Sequence, residues 1–558
     1  MGEEIGIAAS RVHERALAVT GKQAFAPSLF DHQESVLNAG VLFALPALIS
    51  QGLNTVFKVF NPLPGGFYGL HHIILTLCFM FLCRIKNPEQ LKKYPPGELG
   101  KLLGLDRIPE AGYFRTKLKQ ITDQSKCDEL HNLLLSSWTK DMPEMFFYID
   151  GHVRVYHGEK ANLPKRFVSR EKLCLSGTTE YWVNDEKGLP LMVLTAELNE
   201  KLKIAIQEII PIILKEVPLP SNPHEPVLTL VFDREAYEPK WFAKLWKDHR
   251  IAILTYRKNV RDKWDEDLFN NTDIQCYNTD VTMHICEMGT QLNGCWFREV
   301  RRLSQSGHQT AIITTHPSLA IEMTAAKMFV RWTQENFFKY VMENFDFDRM
   351  IQYGTESVNQ KLSIPNPEYK RLTYMLKKAR ERKGRVEARL FKKINKNGQP
   401  SILEMNTILL KNDDLVQRID EHNQEIESLL KSRKEVSSRI TVQQMPKDQR
   451  YNKLIQESKK LKNAIVMIDY RAESALYNVL AEIYKDAKKD GRQILQEIFT
   501  SDADMIPDYQ KNILRIKLHS LSTPRANRAA NKLCDFLNQT ETLFPLTNMR
   551  LIYETVAL

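Results

Sequence analysis

The pattern of hydrophobic and polar positions changes character three times along the chain. Residues 1 to about 90 are apolar and helix-like. Two runs there, "GVLFALPALI" (40–49) and "IILTLCFMFLC" (73–83), fall short of the roughly 20 residues a membrane span needs. Pro46 interrupts the first, and His71, His72, Arg84 and Lys86 flank the second. Both read as buried helices of an N-terminal helical domain, and no membrane partner is expected. Next, "YPPGELGKLLGLDRIPEAGYFRTKLKQI" (94–121) reads as a short amphipathic helix over Glu98–Leu103, a turn at Gly104 and a second helix from Pro109. Helix, glycine turn and basic helix outline a helix-turn-helix within residues 91–139, whose second helix would enter a DNA major groove. Arg115 and Lys119, four apart, share one face of that helix and are the expected phosphate contacts, with Tyr113 or Phe114 packing behind.

From about residue 140 the period becomes that of strands. "MFFYIDGHVRVYHG" (145–158), "EKLCLSGTTEYWVN" (171–184) and "LPLMVLTAEL" (189–198) are β-rich, and "DEKG" (185–188) is a tight turn between the last two. These three predict an antiparallel meander. A helix (197–217), a strand "VLTLVFDREAY" (227–237), a helix (238–250) and a buried strand "IAILTYRK" (251–258) follow. Three strands, helix, strand, helix, strand is the element order of an RNase H-like α/β core. Residues 259–313 interrupt it with further strand-like pieces. A helix over Leu319–Phe345 then closes the region 140–345.

Residues 346–558 read as a charged, helical C-terminal region. One heptad seam runs Leu415, Ile419, His422, Ile426, Leu429, Arg433, Val436, Ile440; a second runs Leu454, Ser458, Leu461, Ile465, Ile468, Ala472, Ala475, Val479. Pro446 breaks the helix between them, so an antiparallel hairpin over about 411–482 is expected.

Length and charge bound these readings. A chain of 558 residues exceeds what one core can bury, so several domains are expected. The net charge of +10, from 78 basic and 68 acidic residues, permits a nucleic-acid partner without proving one. The eight cysteines show neither CxxC pairs nor paired Cys/His spacing, which disfavours zinc and a disulfide framework and points to a reducing, cytoplasmic setting. The N-terminal "MGEEIGIAASRVHERALAV" is acidic where a secretory signal would be basic.

Candidate chemistry lies where carboxylates break apolar patterns. Asp150 interrupts "MFFYID" and Asp233 ends "LTLVFD", positions where strand propensity is against them. Glu335 falls on the apolar seam Ile321, Ala325, Met328, Trp332. Its plainer reading is a half-buried ion pair with Arg331, four residues back. In an RNase H-like sheet, however, the first and fourth strands are neighbours, so Asp150 and Asp233 come side by side and Glu335 supplies a third acid from the helix above. Three such carboxylates repel unless cations intervene, and Mg²⁺ takes hard oxygen ligands of this kind. Trp296 sits beside Arg298, Arg301 and Arg302. The expectation is a Trp packed in a small β core. The alternative is that it stacks on a base displaced near a cut while the arginines guide the backbone.

The motifs "YIDGH", "FDREAY" and "RWTQENFFKY" (Arg-x-x-x-Glu) resemble those of the DDE transposases of bacterial insertion sequences. That resemblance covers residues 145–345 and implies an RNase H-like catalytic core with a β-rich insertion at about 259–313. It implies that Asp150, Asp233 and Glu335 bind two Mg²⁺ ions, with Mn²⁺ as the alternative, and that Arg331 contacts phosphate or braces Glu335. The partners it implies are double-stranded DNA, both terminal inverted repeats and target DNA, and a second copy in a homodimer, in the bacterial nucleoid. Relatives carry Tyr three residues before the Arg and Lys seven after the Glu; here those positions are Met328 and Met342, with Lys339 and Tyr340 near but off register. Lys339 is counted among the DNA contacts. A nuclease or host-adapted derivative without strand transfer, and a non-catalytic DNA-binding protein, are the competing readings.

Overall fold

The computed structural model describes residues 7–556 except 141, 143–144, 157, 159–160, 164, 169–170, 197–200, 221, 277–278, 330–331, 346–354, 358–360, 362, 396–401, 447–449 and 485–489. The chain divides into two units. Residues 1–157, 165–354 and 455–558 form the larger, and 158–164 with 355–454 the smaller.

The larger unit begins with α1 (Val12–Val19), β1 (Gln33–Val36), α2 (Leu45–Ser50), α3 (Leu53–Val59) and α4 (Leu70–Leu82). Every residue of α4 is buried, as befits a helix that is apolar all round. No single described helix is long and apolar enough to cross a membrane. α5 (Pro96–Lys101), α6 (Ala111–Thr122) and α7 (Cys127–Thr139) follow. Gly104 takes the expected positive φ (+66°), but the chain then runs on through Pro109, so residues 102–110 separate α5 from α6. A helix-turn-helix joins its helices through about three or four residues. This connection is longer.

Ten strands of the larger unit make one sheet: β2 (Phe146–Val155), β3 (Lys165–Val168), β4 (Leu173–Asn184), β5 (Pro190–Thr195), β6 (Leu228–Phe232), β7 (Ile251–Tyr256), β8 (Asn270–Cys276), β9 (Thr279–Leu292), β10 (Cys295–Leu303) and β11 (Gln309–Thr314). Its order is β3-β4-β2-β6-β7-β11-β10-β9-β8, with β5 also paired to β4. β2, β4 and β5 form the antiparallel meander, turned where Asp185 accepts the Leu189 N–H (2.8 Å) and Gly188 takes φ +77°. β6 and β7 run parallel to β2. They are buried throughout apart from the last residue of β7, and their connections are helices, α8 (Leu202–Glu216) and α9 (Pro239–His249). The strands of 259–313 do not stand apart. β11 pairs antiparallel with β7, so they extend the same sheet. β9 and β10 meet at Asn293–Gly294, both at positive φ, the two-residue loop that matches strand twist. The helix expected over Leu319–Phe345 is described as α10 (Ile321–Phe329) and α11 (Trp332–Phe345).

The smaller unit holds β12 (Thr355–Ser357), β13 (Ser363–Pro365), α12 (Pro367–Ile394), α13 (Ile402–Lys411), α14 (Asp413–Glu435), β14 (Arg439–Thr441) and β15 (Asn452–Leu454). Here the structure corrects the expected hairpin. The first heptad seam pairs with α12: Leu372, Leu376 and Ala379 meet Ile426 and Leu429, while Val386 and Leu390 meet Leu415 and Ile419. The helices are antiparallel, as expected, but the partner lies upstream.

From Ser458 on, the second seam belongs to α15 (Gln456–Ile483), back in the larger unit, where Leu461, Ile465, Ile468 and Ala472 are core residues and Ala475 and Val479 are half-buried. α16 (Gly491–Thr500), β16 (Ala503–Asp508), β17 (Ile513–Leu518), α17 (Pro524–Asn538) and β18 (Arg550–Thr555) complete the chain. The C-terminal region is therefore not wholly helical. Its strands join β1 in a second sheet, β1-β16-β17-β18, and Tyr553 donates a hydrogen bond to the Leu42 carbonyl (3.1 Å). The N-terminal ninety residues thus share a core with the C-terminal hundred, because neither has a face it can bury alone.

Candidate active site

Asp150 and Asp233 are brought together by strand register. β2 and β6 pair in parallel with Phe146 opposite Thr229 and Ile149 opposite Phe232, and each acid is the next residue of its strand. Asp233 stands one step past β6 with extended backbone (φ −73°, ψ 158°). Alternation along both strands puts the acids on the face of Tyr148 and Val231. That face packs with Leu254, Ile312 and Met328, the last from α10. Both acids are half-buried. Each accepts a hydrogen bond from the backbone N–H that follows it, Gly151 for Asp150 (2.9 Å) and Arg234 for Asp233 (2.6 Å).

α10 and α11 cover this face. The Tyr148 hydroxyl donates to the Lys327 carbonyl of α10 (3.0 Å). His152, two residues past Asp150, stacks on Phe338 of α11 with ring centroids 5.2 Å apart. Trp182, directly opposite Asp150 on β4, packs against Phe337 (5.4 Å) and Phe338 (6.5 Å). Glu335 occupies the first turn of α11, three residues before Phe338, so the backbone of the helix that bears it lies over the same face. The side chain of Glu335 lies outside the described residues, and so does Arg331. Among the described residues no three His, Cys, Asp or Glu side chains gather as a metal site.

Beside the acids lies a buried ionic network that sequence reasoning missed. Glu180, opposite His152 in register, is fully buried on β4. It accepts from Arg154 (2.9 Å) and from Lys459 of α15 (3.2 Å), while Asn463 accepts from Arg154 (3.1 Å) and Thr178 from Lys459 (2.9 Å). Burial alone would raise the Glu180 carboxyl, but Arg154 and Lys459 outweigh it and hold the group at about 2. A second network anchors α11 from behind. The Tyr340 hydroxyl donates to Glu473 of α15, which also takes Arg84 (3.0 Å) and Arg492 (3.3 Å). The only trace of either in the sequence is charge inside runs that read as core.

One comparison decides the family. The model of the Transposase_29 family, described as "Transposase protein", matches residues 6–557. The chain belongs to this family of transposases. A search of curated proteins returns no match.

Other residues of the transposase singled out from sequence are more dispersed. Trp296 is 70 % exposed, so the expected packed Trp is corrected. Too few strands cover that end of the β9–β10 hairpin to bury an indole. Yet Trp296 is not beside the acids. One row of the sheet runs Tyr148, Val231, Leu254, Thr314, Arg298. The acids lie two residues beyond that row and Trp296 two residues short of it, three strands from β6. At ~3.3 Å per residue and ~4.8 Å per strand the separation is on the order of 20 Å. Arg298 spends its guanidinium on Glu287 (2.6 and 2.9 Å) and on the His316 and Leu319 carbonyls. Arg301 is wholly buried against Glu299 and Asp262, a core residue and not a backbone guide. Arg115 pairs with Glu89, and Lys117 is buried with its amine on the Pro64 carbonyl (3.1 Å). Lys119, exposed, meets Asp123 at 2.6 Å, and Lys339 is exposed on α11.

Proposed function

We propose that this transposase is a DDE enzyme with an RNase H-like core, which binds the ends of a mobile element, cleaves phosphodiester bonds there and joins the freed 3′-hydroxyl to target DNA. One observation carries the reading. Two carboxylates stand at matched positions on neighbouring parallel strands, on the face covered by the helix of Glu335. The strand order β5-β4-β2-β6-β7, an antiparallel meander continued by two parallel strands, supports the RNase H-like core.

The donor set fits a hard divalent cation, since carboxylate oxygens are the ligands Mg²⁺ and Mn²⁺ take. Asp150, Asp233 and Glu335 would hold it. When bound, a pair of such ions makes an attacking water or hydroxyl a stronger nucleophile and stabilises the leaving oxygen. The protein's own contribution is positional. The backbone N–H groups of Gly151 and Arg234 fix one oxygen of each aspartate, and stacking of His152 on Phe338 holds α11 against β2.

The strand-processing route differs from that of relatives with a tyrosine three residues before the arginine. Met328 at that position is wholly buried beside Tyr148 and Val231, so no side chain there reaches DNA. This favours, as second reading, cleavage without the relatives' handling of the second strand. The test is a duplex bearing the element end, incubated with the chain and Mg²⁺ and resolved by strand. A nick exposing a 3′-hydroxyl followed by joined products supports the transposase; nicks that never join support the nuclease; no cleavage by the wild-type chain removes both.

A further inference from the structure

We propose that the outer face of α12 is a second, sequence-independent docking surface for double-stranded DNA, borne by the helical hairpin of the smaller unit. α12 carries eleven basic residues against three acidic ones, an excess of eight, while the whole chain has a net charge of only +10. One 28-residue helix thus holds most of the chain's surplus positive charge.

A charged helix face is usually just a solvated one, with both signs interleaved. α14 has that character, with seven acidic and four basic residues. α12, its partner in the same hairpin, does not. Its three acids are all engaged: Glu368 with Arg371 (2.7 Å), Glu381 with Lys378 (3.0 Å) and Glu387 with Lys383 (3.3 Å). α14 supplies one more carboxylate, Glu425, to Arg382 (2.7 Å). Lys370, Arg380, Arg389 and Lys392 are left exposed, with no ion pair among the described residues, and exposed Arg385 makes no ion pair either, feeling Glu381 only at longer range.

Their placement follows from helix geometry. Leu372, Leu376, Ala379, Val386 and Leu390 face α14. At 100° per residue Lys370, Arg385 and Lys392 fall opposite the buried stripe, with Tyr374, which is 62 % exposed, while Arg380 and Arg389 flank that face at its two edges. From Lys370 to Lys392 the row spans roughly 33 Å at 1.5 Å per residue, about one turn of a duplex. Cations held unpaired along a rigid rod repel one another, and a polyanion with about one charge per 1.7 Å relieves that repulsion. Duplex DNA is the occupant we assign, because the chain is a transposase and the basic face is about as long as one turn of a duplex.

The full-length chain with Lys370, Arg380, Arg385, Arg389 and Lys392 all changed to Gln tests this on a non-element duplex. The expected result is a shallower dependence of log Kd on log salt, by roughly 0.9 for each phosphate no longer neutralised and so by up to about 4.5. A partner variant, Lys370→Arg with Lys392→Arg, should keep the wild-type slope. Independently of any variant, added duplex should protect Lys370 and Lys392 of the wild-type chain from acetylation. An unchanged slope, or lysines left unprotected, overturns the proposal. So does tighter binding of single-stranded RNA than of duplex at this face, or a variant that changes only self-association. None of these outcomes depends on whether Asp150 and Asp233 are catalytic.

Discussion

Asp150 and Asp233 each follow one member of a matched pair, Ile149 and Phe232, on neighbouring parallel strands. Asp150→Asn and Asp233→Asn remove a charge and a ligand oxygen while keeping shape. Each should slow Mg²⁺-dependent cleavage by about a thousandfold or more, equivalent to roughly 4 kcal/mol. End binding should persist, because basic contacts to phosphate dominate affinity. Single-turnover cleavage beside a gel-shift titration measures both, and cleavage at the wild-type rate by either variant would remove the assignment.

Glu180 gives a stability prediction. It is wholly buried between Arg154 and Lys459, so Glu180→Ala leaves two buried cations uncompensated. The expected loss is about 3–5 kcal/mol in denaturant unfolding. The carboxyl falls from 4.5 to about 2 in the folded chain. Its contribution is therefore fully present above about 4.5 and is lost as pH falls towards 2. A stability profile that is flat across that window would show that the network does not hold the charge.

Asp469 predicts the opposite slope. It is fully buried on α15, where the Cys78 thiol and the Arg84 guanidinium offset its burial only in part. Burial, with help from Glu473, raises the group well above its ordinary 3.8. The folded form binds a proton that the unfolded chain releases, so stability is greatest below about 3.8 and declines as pH rises. Asp469→Asn should abolish that decline and raise stability at pH 7 above that of the native chain. Melting temperatures of both proteins at pH 5 and pH 8 test this; parallel changes would count against it.

Trp296 separates fold from chemistry. Since the ring is exposed, Trp296→Ala should leave stability within about 0.5 kcal/mol. The rate of the cleavage step should also hold, because register sets the residue far from the acids. A slower single-turnover rate with unchanged stability would mean that the β9–β10 hairpin bends over the acids when DNA is bound.

Much of the α/β organisation was legible from periodicity alone. "MFFYIDGHVRV" and "LTLVF" could only be strands, and a carboxylate ending such a run marks a strand end open to solvent. The tight turn at 185–188 and the buried helix around Ile73 followed from local chemistry of the same sort. Partner choice was not legible. The seams of α14 and α15 both announce a buried stripe, but a stripe does not say what covers it. α14 found α12, while α15 became the core of the larger unit. The strands over 503–555 went unread, because each is short and gains a partner only from residues far away in the chain.

The sequence by itself determined which residues are extended or helical and where carboxylates interrupt apolar runs, since both depend on neighbours within a few positions. Only the tertiary structure decided that Ile149 lies beside Phe232, that Glu180 meets a lysine from α15, that Arg298 and Arg301 are spent inside the protein, and that Trp296 faces solvent. Each of those depends on hydrogen-bond register or burial between segments distant along the chain, where no local pattern carries the information.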